Sequence, residues 1–182
     1  MNKGARTGAP LPAVPVPGRD HIQGPTDAPV MLLEYGDYEC PYCGEAYPVV
    51  KELQKRLGKR LCFAFRNFPL VNSHPHAQRA AEAAEAAGAQ GRFWEMHDML
   101  YENQDALEDA DLARYASALR LDAQRFLDEV LAGTYTARVR EDFRSGARHD
   151  VNGTPSFFIN GTRYDGMPGV EELLAALTGA PR

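Results

Sequence analysis

Apolar positions in this chain follow two rhythms, and the switches between them outline a fold. Val30-Met31-Leu32-Leu33 is apolar on consecutive positions, the mark of a strand covered on both faces, and predicts a central strand over 30–35. Leu61, Phe63 and Phe65 alternate with Cys62 and Ala64 and predict a second strand over 61–66. Between them Tyr47, Val50, Leu53 and Leu57 recur at helical spacing, so a helix is expected from 41 to 57, with Gly58 as its stop and a kink at Pro48. Residues 74–149 then read as helix almost throughout. Ala77 to Ala87 is alanine-dense, Phe93, Met96, His97 and Leu100 share one face, and apolar stripes return in 111–119, 122–131 and 135–148. Strand patterning reappears at Ser156-Phe157-Phe158-Ile159, and Asn160-Gly161 before Thr162-Arg163-Tyr164 signals a hairpin. A last helix, 169–178, turns Leu173, Leu174 and Leu177 inward. The order is β-α-β, a helical block, then β-β-α, which predicts the α/β class with an all-helical insertion.

Length and charge narrow this picture. A chain of 182 residues fits one domain, or one domain with an insertion. Its net charge of −5, without any basic block, argues against nucleic acid as a partner. Pro10, Pro12, Pro15 and Pro17 make the start, residues 1–21, an expected extended arm. Lys3 and Arg6 lie in it, but no unbroken apolar stretch of signal-peptide length follows them. Apolar runs are only a few residues long, so no membrane span is expected. The cytoplasm is therefore the default compartment; a signal removed from the sequence as given would instead mean the periplasm.

The candidate chemistry sits at Glu39-Cys40-Pro41-Tyr42-Cys43. A strand that ends just before Cys40 would deliver it to the first turn of the 41–57 helix. Free N–H groups and the helix dipole favour negative charge on sulfur there, and the thiolate is the reactive form of cysteine. Pro41 suits the first helical position, and Cys43, one turn on, faces Cys40. Two alternatives are half a zinc site and a static crosslink. Zinc wants four ligands, and the remaining candidates, Cys62, His74 and His76, do not form the usual second pair. A crosslink over so short a loop stabilises little. Three cysteines are also too few for a disulfide scaffold. Glu34, six residues before Cys40, must be paired or shifted in pKa if its strand is buried. It reads either as the proton acceptor for Cys43 or as a sheet-edge carboxyl that reaches solvent. Asp37 and Glu39 read as solvated loop charges, Cys62 as a small buried residue, His97 as a satisfied core histidine, and the charged face of 135–148 as solvated. Pro155, at a strand start, marks an edge or special turn, and X-Pro is where a cis bond is found. Asn-x-Thr at Asn152 and Asn160 is turn chemistry.

With these features in place the chain resembles the DsbA-like thiol–disulfide oxidoreductases of the thioredoxin superfamily. Cys40-Pro41-Tyr42-Cys43 matches the redox motif, Glu34 the buried acid, Pro48 the helix kink, and Thr154-Pro155 the cis-proline loop; Arg92-Phe93-Trp94-Glu95-Met96-His97-Asp98 resembles a recurring helix. The resemblance covers about residues 26–178. It implies a thioredoxin fold from 22–72 and 150–182, interrupted by a helical domain over 73–149. It also implies catalysis by Cys40, Cys43 and Glu34 without a cofactor, and substrate contact through Pro41, Tyr42, Thr154 and Pro155. The implied partners are protein thiols or disulfides and a recycling partner the sequence does not identify. Pro41-Tyr42 resembles the glutaredoxin dipeptide, and Thr154 before Pro155 resembles the isomerase side more than the oxidase, so the direction of electron flow stays open. The competing class is a redox-sensing or metal-binding module that uses the two cysteines without turnover.

Overall fold

A computed structural model describes residues 11–179; Lys3, Arg6 and Pro10 of the expected arm lie outside them. Five strands form one sheet: β1 His21–Gln23, β2 Val30–Gly36, β3 Leu61–Asn67, β4 Ser156–Ile159 and β5 Thr162–Tyr164, in the order β1-β3-β2-β4-β5. β2 and β3 run parallel, with Glu34 opposite Phe65; β4 runs antiparallel to β2, with Glu34 opposite Phe157. Helix α1, Pro41–Leu57, makes the crossover that a parallel pair requires. It continues through Pro48 and ends at Gly58, whose φ of 51° suits glycine.

Between β3 and β4 lie α2 Ala77–Gly88, α3 Phe93–Tyr101, α4 Asp109–Ala118, α5 Ala123–Leu131 and α6 Thr136–Arg148; α7, Val170–Thr178, closes the described chain. The central strands β2 and β3 are buried on both faces, as continuous apolar runs demand. One face carries Leu32, Glu34, Leu61, Phe63 and Phe65 and packs with α1, α3 and α7 through Leu53, Met96, Leu100 and Leu173. Each such large side chain, taken from water, contributes about 1.5–3 kcal/mol. The opposite face carries Leu33, Tyr35 and Ala64 with Phe68, Val151 and Phe158.

Three sequence expectations change here. Strand β1 escaped the pattern because three residues are too few to show a period. Residues 11–20 are no free arm: Ala13 and Pro15 are buried, and the Pro12 and Val14 carbonyls accept hydrogen bonds from the buried Arg66 guanidinium at 2.8 and 3.1 Å. The charged face of α6 is only partly solvated. Asp142 is buried, accepts from the Asn67 backbone N–H at 3.0 Å, and pairs with Arg138 and Arg19. Helix α6 also lies directly on the sheet, since a Cβ on Gly146 would sit 3.0 Å from the Tyr35 ring of β2 and 2.7 Å from the Phe68 ring just after β3.

Candidate active site

β2 ends at Gly36, and after four intervening residues α1 begins at Pro41. Cys40 is the N-cap residue, extended at φ −73° and ψ 122°, and its carbonyl accepts from the Cys43 and Gly44 N–H groups. The two thiols are free and near one another, in unlike surroundings. Cys40 is 3% exposed at the rim, next to the exposed Pro41 and the 68% exposed Tyr42. Cys43 is fully buried in the core, where it accepts from the Asp37 backbone N–H at 3.5 Å.

This asymmetry splits their acidities. A hydrogen bond from the Cys43 thiol pulls the Cys40 pKa down to about 5, against the opposing effect of burial, and the N–H groups of Cys43 and Tyr42 help. Burial pushes the Cys43 thiol far up, and the hydrogen bond to Cys40 and the charge of Glu34 push the same way. The Thr154 hydroxyl is buried with no partner of its own among the described residues, and the Thr154 carbonyl stands 3.4 Å from Cys40 Sγ. The Thr154–Pro155 bond is cis. The two segments that meet at the sulfur thus come from opposite ends of the chain.

Glu34 does not reach solvent: it is 3% exposed, with Phe65 and Phe157 on the strands either side. Burial raises its pKa to about 8, and the nearby Cys40 charge adds to the rise. A carboxyl in that state takes or gives a proton near neutral pH.

The reading of Asp37 and Glu39 as solvated loop charges is corrected by the structure. Asp37 is 2% exposed. One carboxylate oxygen accepts from the Glu39 N–H at 2.8 Å; the other accepts from the Leu70 N–H and bonds His74 Nδ1, both at 2.8 Å. Glu39 accepts from the His76 N–H at 2.6 Å and bonds His76 Nδ1 at 2.8 Å. These acids clasp the loop after β3 against the loop before Cys40. His74 and His76 are therefore held by carboxylates, and among the described residues no three metal-ligating side chains converge. The hydrogen bond to Glu39 raises the His76 pKa; for His74 partial burial opposes the rise, and the Asp37 hydrogen bond prevails. Gln104, from the loop after α3, donates from Nε2 to the Tyr38 and Cys40 carbonyls, each at 2.9 Å. Its amide occupies the space a Cβ at position 44 would take, so a larger residue than Gly44 would have to displace it. Nothing in the sequence marks Gln104, a polar residue in a polar loop. Asp37 carried a signal in its place between a buried strand and the cysteines. Cys62 is buried. His97 is buried in aromatic surroundings, its Nδ1 3.0 Å from the Tyr38 hydroxyl, and burial holds its pKa down near 3.

The comparisons with known proteins agree with this architecture. A family model described as Thioredoxin matches residues 17–178. The chain belongs to the thioredoxin family, and its fold is that of the DsbA-like members. Oxidised BdbD from Bacillus subtilis superposes with a TM-score of 0.82 at 21% identity, over 93% of this chain and 97% of that one. A thioredoxin-like oxidoreductase from Silicibacter pomeroyi gives 0.79 at 25% identity, over 90% and 92%. By sequence, the chain is 49% identical over 168 residues to the Na(+)/H(+) antiporter NhaA 1 of Salinispora arenicola, covering 92% of this chain but 26% of that protein. It thus spans about a quarter of the length of the curated relatives it matches. No helix among the described residues is long and apolar enough to cross a membrane.

Proposed function

We propose that this protein is a thiol–disulfide oxidoreductase that exchanges the Cys40–Cys43 pair with protein substrates through a mixed disulfide at Cys40. The observation that carries this reading is the unlike setting of the two sulfurs: a rim thiol pulled down to about 5 and a core thiol pushed up, with Glu34 near 8 beside them. A static crosslink or a metal clip has no use for that asymmetry. Antiport is not transferred to this chain, which corresponds to a minor part of the relatives that bear that name.

In the reducing direction the Cys40 thiolate attacks a substrate disulfide. One substrate sulfur becomes bonded to Cys40, and the other leaves with the electron pair. Cys43 gives its proton to Glu34 and attacks Cys40 Sγ. The intramolecular disulfide forms, the Cys40–substrate bond breaks, and the second substrate sulfur leaves as a thiolate. The pair loses two electrons and the substrate gains two. In the oxidising direction each step reverses. An extended substrate would lie over Pro41, Tyr42, Thr154 and Pro155, in the manner of an added strand, a reading supported by the Thr154 carbonyl 3.4 Å from Cys40 Sγ.

A thiolate stabilised at Cys40 stabilises the dithiol form, which favours the oxidising direction. Equilibration of the full chain against glutathione buffers, read by alkylation and mass, is expected to give a potential above the thioredoxin value of about −270 mV, toward the roughly −120 mV of DsbA. The Cys43→Ser variant is expected to accumulate mixed disulfides at Cys40. Failure of Cys40 and Cys43 to pair at any poise would overturn the proposal.

A further inference from the structure

The resolving step needs a proton to leave a sulfur that no solvent reaches, and one polar group near it has no role so far. Side chains alternate along β2, so Leu32, Glu34 and position 36 share the face that packs on α1 and α3. Position 36 is glycine, and the space its side chain would fill is shared by the Phe65 ring and the Tyr101 hydroxyl: a Cβ there would meet the ring edge and lie 2.8 Å from Tyr101 Oη. That hydroxyl therefore stands in the same row as Glu34, one position along. The residue after Gly36 is Asp37, whose N–H meets Cys43 Sγ at 3.5 Å. The Tyr101 hydroxyl, the Glu34 carboxyl and the Cys43 sulfur thus converge on one end of one strand.

Tyr101 is 6% exposed, and its hydroxyl has no hydrogen-bond partner among the described residues. A buried hydroxyl without a partner loses its hydration with nothing in return, a cost phenylalanine at this position would avoid. The ring is held firmly, 4.9 Å from the Tyr38 ring, 5.4 Å from Tyr47 and 5.0 Å from His97 between centroids. Its neighbour Tyr38 differs in one respect, for the Tyr38 hydroxyl bonds His97 Nδ1 at 3.0 Å.

We propose that Tyr101 is a positioning residue for the resolving cysteine, its hydroxyl donating toward the sulfur as the Cys43 proton passes to Glu34. The inference rests on the thiol–disulfide reading above and adds a group to its second step. Tyr101 is not consumed. The Cys43 S–H bond breaks, the proton goes to the Glu34 carboxylate, and the Cys43–Cys40 bond forms as the Cys40–substrate bond breaks. Charges that bear on the hydroxyl come from β2 (Glu34), the loop before α1 (Asp37 and Tyr38) and α1 (Cys43). Burial raises the Tyr101 pKa, and the Cys43 and Glu34 charges are the largest contributors after it, so the group stays a neutral donor through the working range.

The test compares full-length wild type, Tyr101→Phe and Tyr38→Phe. Each is loaded at Cys40 with a glutathione mixed disulfide, and closure of the Cys40–Cys43 bond is followed against pH. Loss of one hydrogen bond to a developing thiolate is expected to slow closure in Tyr101→Phe about tenfold and to move its pH midpoint upward. Iodoacetamide alkylation of Cys40 and the melting temperature of this variant are expected to match or exceed wild type. Tyr38→Phe loses a bond already made, so it is expected to melt lower and close at the wild-type rate. Wild-type closure by Tyr101→Phe across the pH range would overturn the inference, as would equal slowing in both variants. A wild-type protein that forms no Cys40–Cys43 bond would fail the underlying reading instead.

Discussion

The two faces of the central sheet bury polar groups in opposite ways. On the face toward α6, Arg66 and Asp20 have fully buried side chains joined by two hydrogen bonds, 2.7 and 3.0 Å long. The remaining Arg66 donors go to the Pro12 and Val14 carbonyls, the Tyr35 hydroxyl at 2.9 Å and Ser145 Oγ at 3.1 Å. On the face toward α1, the Tyr101 hydroxyl has no partner among the described residues, the Glu34 carboxyl lies between phenylalanines, and Cys43 is a thiol held far from its ordinary acidity. Both faces pay for desolvation. The first recovers most of the cost in paired charges, with Arg19 Nε left unpartnered among the described residues, and stays inert; the second leaves its reactive groups short of partners, so that their protons can move. Incomplete satisfaction, rather than burial itself, separates the chemical face from the structural one.

The contrast breaks most sharply at Cys40. Cys40→Ser is expected to abolish disulfide exchange, as read by insulin reduction or glutathione equilibration, while the urea midpoint of the reduced protein stays near wild type only below about pH 5, where Cys40 holds its proton in both states. On the paired face Asp20→Ala strands a buried guanidinium, and a loss of about 3–5 kcal/mol is expected in urea unfolding. Cys40 alkylation should still titrate with a midpoint near 5 in whatever fraction remains folded. A stable Asp20→Ala protein would show that the Arg66 network is not what holds residues 11–20 on the sheet.

Glu34→Gln probes the unpaired face through pH. The folded carboxyl keeps its proton up to about 8, the unfolded one only to the ordinary range near 4.5, so the folded state binds more protons between them. Stability should therefore fall as pH rises through that window, by up to about 1.4 kcal/mol per pH unit. In reduced protein Cys40 opposes this. Its folded pKa near 5 lies below the ordinary thiol value of 9.0, so its contribution grows with pH from about 5 to about 9. Oxidised protein lacks that opposing effect, and urea midpoints of oxidised wild type should decline with pH where those of oxidised Glu34→Gln stay level. Parallel curves would remove the buried-acid reading.

The smallest effect is expected at the clasp. His76 has its pKa raised in the folded state, so its pairing with Glu39 is fully present below the ordinary histidine range and fades as pH rises through the raised value. His76→Gln should cost under about 1 kcal/mol, and only on the acid side, since the pair is partly exposed. Hydrogen exchange in residues 68–76 at pH 6 and pH 9 would register the difference; equal exchange at both would separate the clasp from histidine charge.

Much of this was legible in the chain. The long periodic elements, the strand–Cys40–helix junction and the Glu34 spacing each follow from local rules, because periodicity reports which face is covered and a helix start reports where N–H groups are free. What failed were inferences about the surroundings of a polar residue. Asp37, Glu39 and Asp142 read as solvated because charges usually are, and each is held by partners far off in sequence: His74 at 37 residues, His76 at 37 and Asn67 at 75. Gln104 and Tyr101 were invisible for the same reason, since their meaning lies in what they approach.

The sequence by itself determined the element order β-α-β, helical block, β-β-α and the presence of two cysteines one helical turn apart, both consequences of short-range pattern. The thioredoxin-family fold was implied by the chain's resemblance to DsbA-like proteins. Only the tertiary structure decided how those cysteines differ. It brings Thr154 to Cys40 across 114 residues, walls Glu34 between Phe65 and Phe157, and seals Cys43 in the core. Acidity depends on desolvation and on charges and donors within a few ångströms, and those neighbours come from distant parts of the chain.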